Sequence, residues 1–135
     1  MKPETWNLKP ASRKNARLRH LAENTVARLL SELPPDVRRH AESVGRAIED
    51  EVPRALLEDG IEPDTLGLFS GPSLRDPDAG WSDEAPLVTL FLAPLRDYAG
   101  PDPAVFADEV RRTYLHELGH YLGLEEDDMP SRDLD

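Results

Sequence analysis

The residues from Asp102 to Gly123 carry their own start signal, their own stop signal and an apolar stripe, and any fold for this chain has to bury that stripe. Asp102 is a favoured N-cap, and Pro103 takes the first helical position, where a missing N–H costs nothing. Gly123 can close the helix with a left-handed residue. Between them, Phe106, Val110, Tyr114, Leu118 and Leu122 recur at helical spacing, while Glu109, Thr113, His116, Glu117 and His120 lie towards another side. The segment is therefore expected to be a helix that packs along one stripe and holds polar chemistry along the other.

The rest of the chain has to cover that helix. Its 135 residues are the size of one domain, large enough for a few helices on a sheet. A helix is predicted from Ser12, as N-cap, to about Leu33, on the spacing of Leu18, Leu21, Ala22, Val26, Leu29 and Leu30, with Pro34-Pro35 as a stop. From Ser43 to Val52 the apolar positions fit a helical face about as well as a strand, and periodicity alone leans towards helix. A loop-rich stretch runs from Gly60 to Pro86, with Leu66 to Phe69 as a possible short strand inside it. The continuous apolar run between Pro86 and Pro94 is too short for an ordinary helix and rich in strand formers, so Leu87 to Leu92 is predicted as a strand. The acidic tail after Gly123 has no periodicity. This divides the chain into a basic arm over residues 1–17 and a single domain over 18–135.

Charge and cysteine content narrow the function classes. The net charge of −11, with 39% hydrophobic and 32% charged residues, describes an acidic globular chain that duplex nucleic acid would repel. The first twenty residues are the exception, carrying +5 and leaving −16 for the remainder. Such an arm more often serves the protein's own acidic body than a nucleic acid or a membrane. No apolar segment follows those charges and none is long enough to span a bilayer, so a cytoplasmic protein without a membrane partner is expected. With no cysteine, a metal would have to be held by histidine and carboxylate, and only His20, His40, His116 and His120 supply imidazoles.

Two of those four fall in HELGHYLG. Residues four apart on a helix project from one face one turn apart, so the His116 and His120 imidazoles can grip one ion. Glu117 sits about 100 degrees around the helix from His116, where its carboxylate can take a proton from water activated by zinc without itself occupying the metal. A single histidine on a helix is usually a surface or satisfied core residue. The joint pattern on a capped helix is far more specific, and its remaining bland reading is a helix kept for packing alone.

The sequence here resembles the minimal zincin-like metallopeptidases, small bacterial proteins with the signature H-E-x-x-H-x-x-G-x-x-D. His116, Glu117, His120 and Gly123 match it within EVRRTYLHELGHYLG, and LPPDVRRHAESVGRAIEDEVP, LGLFSG and PLVTLFLAPL follow the family's order. The resemblance implies an α+β fold with two main helices on a small mixed β-sheet, and a strand where periodicity left Ser43 to Glu51 open. It also implies one Zn2+ ion, peptide-hydrolase activity with Glu117 as the catalytic base, and a peptide or protein substrate. The alternative is a zinc-binding or interaction module that kept the helix without turnover.

The chain departs from the family at the third metal ligand, where Glu126 stands in place of Asp. Glu125, Asp127 and Asp128 flank it, and Gly123 would let the backbone turn so that one of these carboxylates swings back to the metal. Glu126 is the first choice and Asp127 the second; a solvated acidic tail is the alternative. Glu109 and Thr113 are expected to face solvent rather than to orient an imidazole. Tyr114 and Tyr121 are weak candidates for an oxyanion donor, Tyr114 sharing the phase of the apolar stripe, and Met129 is an incidental tail residue. If the Leu87–Leu92 strand lies at a sheet edge it is a candidate for pairing with substrate; if it is central, its apolar run is core.

Overall fold

The computed structural model describes residues 10–77 and 84–123, with side chains from residue 15 onward. In chain order the elements are α1 (Pro10–Glu32), α2 (Pro35–Glu42), β1 (Gly45–Glu49), α3 (Arg54–Glu58), β2 (Gly67–Ser70), β3 (Leu87–Phe91), α4 (Leu92–Ala99) and α5 (Pro103–Leu122). The architecture is α+β, with the two long helices α1 and α5 and a three-stranded mixed sheet, as the resemblance implies.

The strand order is β1-β3-β2, with β1 parallel and β2 antiparallel to β3. The run Leu87–Phe91 is therefore central, which explains why it reads as continuous apolar sequence: both of its edges are paired, and Val88, Leu90 and Phe91 are buried. Its candidacy as a substrate-pairing edge falls, and β1 and β2 are the outer strands. The strand that the resemblance implies within Ser43–Glu51 is β1, and the helix favoured by periodicity alone over Ser43–Val52 gives way to it. Val44 N–H still bonds back to Ala41 in a closing turn of α2, but Gly45 N–H turns to the Pro86 carbonyl at 2.9 Å and starts the parallel ladder. Long-range pairing with β3 overrides a local apolar spacing that suits either structure.

Three short helices were not foreseen. Pro34-Pro35 does end α1, but Pro35 also stands at N1 of α2, with Asp36 in its first turn and Arg39 and His40 in its last, all favourable to the helix dipole. The α3 helix follows Pro53, and α4 follows β3 with no intervening residue, so Leu92 belongs to a helix rather than to the strand. Pro94 is then the third residue of α4, where its missing N–H is one of the groups that have no helical partner anyway. The first helix begins at Pro10, so Ser12 is inside it and is not its N-cap.

The core forms where α1 and α5 meet the inner face of the sheet. Ala22, Val26 and Leu29 of α1, Val88 and Leu90 of β3, Leu92 and Leu95 of α4, and Phe106, Val110, Tyr114 and Leu118 of α5 make one cluster of buried side chains. Polar ties hold its edges: Arg111 pairs with Glu32 at 2.9 Å, and Arg96 donates to Asn15 at 3.2 Å. The Arg111–Glu32 pair is about half exposed on both sides, which limits it to roughly 1 kcal/mol or less; burial of the apolar stripe supplies most of the holding force. Among the described residues, no helix is long and apolar enough to cross a membrane.

Candidate metal centre

The α5 helix is capped as its sequence predicts. The Asp102 carboxylate accepts from Ala104 N–H at 2.9 Å, Pro103 is at N1, and Gly123 closes the helix at φ 79° and ψ 22°. Gly123 is required twice over, because a Cβ there would also lie 2.6 Å from the Cβ of Arg75. Four of the five predicted stripe residues are buried, Phe106, Val110, Tyr114 and Leu118 each being exposed by 2% or less, and Leu122 is partly buried. Tyr114 is thus a core residue, and burial raises its pKa above the ordinary 10.0, with the Arg46 guanidinium acting in the opposite sense.

On another side of the same helix, His116, Glu117 and His120 each offer a donor atom, and these atoms all lie within 4.8 Å of one another. The imidazole centroids are 5.1 Å apart with ring planes at 83°, so the rings are set edge to face rather than stacked. Both histidines are partly exposed, whereas Glu117 is buried. Among the described residues, His20 and His40 do not join this group; they lie exposed on α1 and α2.

Two expectations about the surroundings are overturned. Glu109 and Thr113 do not face solvent; they are 4% and 0% exposed. The reason is tertiary: β2 runs across this part of α5, so closely that a Cβ on Gly67 would lie 2.7 Å from the Thr113 methyl. Glu109 accepts from Arg112 at 3.4 Å, and Arg112 also reaches Asp108 at 3.0 Å, so the buried carboxylate shares its cation with a second, more exposed one.

The segment after β2 then passes the other end of the helix. Leu74 N–H donates to the Tyr121 carbonyl at 2.8 Å, the Tyr121 ring packs on Phe69 with centroids 6.0 Å apart, and Arg75 lies against Gly123. Sequence reasoning did not place Gly71–Asp76 beside the motif, since the only local signals there are turn residues, and these say nothing about what the turn touches. Tyr121 is held by this packing, which gives no support to its candidacy as an oxyanion donor. Glu126, its alternatives Asp127 and Asp128, and Met129 lie outside the described residues.

The donor set fits zinc. Two imidazole nitrogens, in a chain without cysteine, are ligands of the kind that zinc accepts, and one carboxylate ligand beside them would leave a fourth position open for water. No curated protein matches the chain. The model of the family described as zincin-like metallopeptidase matches residues 41–134, from the end of α2 through the sheet and the α5 helix into the acidic tail. On that match, over more than half its length and including the His-Glu-x-x-His helix, the chain belongs to the zincin-like metallopeptidase family.

Proposed function

We propose that this protein is a zinc-dependent metallopeptidase that hydrolyses peptide bonds, with His116, His120 and Glu126 as ligands of one zinc ion and Glu117 as general base. The convergence of the His116, Glu117 and His120 donor atoms within 4.8 Å carries this reading. When bound, zinc supplies a Lewis acid that acidifies water and polarises a carbonyl. The two imidazoles bind through neutral ring nitrogens, one turn apart, so that the helix fixes their separation. Glu117, on the adjacent position and buried, accepts a proton from water and returns it to the amine that leaves. Glu126 is three residues beyond the left-handed turn at Gly123, which redirects the chain at the end of the helix; its carboxylate is the oxygen ligand in this proposal.

Substrate binding follows from the sheet. Among the described residues, β2 is an outer strand paired only with β3, and it crosses α5 at Thr113, one turn before His116. An extended peptide adding to the free edge of β2 would place its backbone over the ligand face of the helix, with main-chain hydrogen bonds providing affinity.

Metal content of chelator-free, tag-free protein, measured by elemental analysis beside Glu126→Ala and Glu117→Gln, tests the assignment. The expected result is near one zinc per chain, reduced in Glu126→Ala and retained in Glu117→Gln, followed by peptide hydrolysis that Glu117→Gln lacks. Failure to take up zinc, even with excess metal, would mean that the helix serves packing only. Zinc without hydrolysis across a broad peptide set would favour the binding-module alternative.

A further inference from the structure

A second site lies on the far side of α5 from the histidines and stands whether or not α5 holds a metal. A cavity of about 280 Å³ opens between α1, the β1–β3 half of the sheet and Tyr114. Its walls include Val26 of α1 and Val88 and Leu90 of β3, and its rim carries Arg19, Glu23 and Arg46. His116, Glu117 and His120 do not line it.

Three observations describe what it would accept. Tyr114 is 1% exposed, and its hydroxyl is buried with no hydrogen-bond partner among the described residues. A phenylalanine would fill the same core volume without burying a polar atom, so the hydroxyl calls for an acceptor. Of the two rim arginines, Arg19 is committed: its guanidinium donates to the Ile48 carbonyl and pairs with Asp50 at 3.0 Å. Arg46 is exposed on the outer strand β1, forms no ion pair with any described residue, and lines the same cavity as Tyr114. The cavity's volume is just below that of ordinary ligand pockets, which run from about 300 to 1,000 Å³, so the occupant is small. Glu23 on the rim and the apolar walls disfavour multiply charged anions.

We propose that this cavity binds a small monocarboxylate with an apolar body, the carboxylate seated between Arg46 and the Tyr114 hydroxyl and the body against Val26, Val88 and Leu90. An oxygen of the ligand takes the hydrogen bond that Tyr114 otherwise lacks, and the guanidinium neutralises its charge. Entry requires Arg46 to swing outward, a movement that an exposed side chain on an outer strand makes without disturbing the core.

The test is an NMR titration of the isotope-labelled full chain with sodium hexanoate, beside hexylammonium chloride and sodium phosphate at matched ionic strength. Hexanoate is expected to give saturable amide shifts at residues 46–48 and 88–90, with hexylammonium and phosphate giving none there. Arg46→Gln should weaken hexanoate at least tenfold and Tyr114→Phe several-fold, both variants keeping a folded spectrum. The proposal is overturned by an absence of saturable shifts, by shifts confined to residues 116–120, by an equal response to hexylammonium, or by either variant binding as tightly as wild type. The hexylammonium arm needs only the wild-type chain and decides the charge of the ligand even if a variant fails to fold.

Discussion

Tyr114 and His116 are two residues apart, yet the helix turns them about 200 degrees away from each other, and the surroundings they meet differ in kind. On one side of α5, His116, Glu117 and His120 gather donor atoms within 4.8 Å. On the other, the Tyr114 hydroxyl is buried beneath α1 without a partner. Converging donors suit a cation that shares its charge among them, whereas an isolated donor beside an arginine with no ion pair among the described residues suits one acceptor group on a small ligand. One helix thus presents two chemistries because its periodicity sends neighbouring residues to different walls.

Substitutions can break one side while leaving the other intact. The largest effect is expected from His120→Ala, which removes one of the paired imidazoles: bound zinc should fall to background by elemental analysis, and peptide hydrolysis with it, while hexanoate shifts at residues 46–48 persist. Next is Glu117→Gln, which keeps shape but loses the base; kcat should fall by roughly 10²–10⁴-fold in a peptidase assay, with zinc content unchanged.

Smaller effects fall on stability. Gly67→Ala drives a Cβ towards the Thr113 methyl and the Thr89 carbonyl, at 2.7 and 3.2 Å. It should cost about 1–3 kcal/mol in urea unfolding, since the strand has to shift off α5. The smallest effect should be a gain: Tyr114→Phe removes an unpaired buried hydroxyl and should stabilise the ligand-free protein by about 1 kcal/mol. The sign of its pH dependence follows from burial. The folded phenol keeps its proton to a higher pH than the unfolded one, so wild-type stability should fall as pH rises past 10.0. The variant lacks that loss, and the difference between the two unfolding curves should widen in alkali.

The features legible in the sequence are those with local causes. Asp102-Pro103 and Gly123 bound α5 because capping is decided by the capping residue and the few positions beside it. The His-Glu-x-x-His spacing gave the convergent trio because a helix fixes the separation of residues four apart. The helices α2 and α4 have local signals too, but ambiguous ones: Pro35 and Pro94 end the preceding apolar runs, and proline in a first turn is equally a beginning. Glu109 and Thr113 were misplaced for a different reason. Their helical phase put them on the polar side, and nothing near them in sequence announces that β2 lies across it.

By itself, then, the sequence determined the limits of α5, the residues that share each of its faces and the chemical class of its donors, all of which follow from backbone periodicity and side-chain chemistry within a few residues. Only the tertiary structure decided that Leu87–Phe91 is central, that Glu109 and Thr113 are buried, and that Tyr114 lines a cavity with Arg46. Each of those depends on a partner at least 17 residues away in the chain. Such contacts are chosen by the burial and pairing of the whole assembly, and no local pattern encodes which partner arrives.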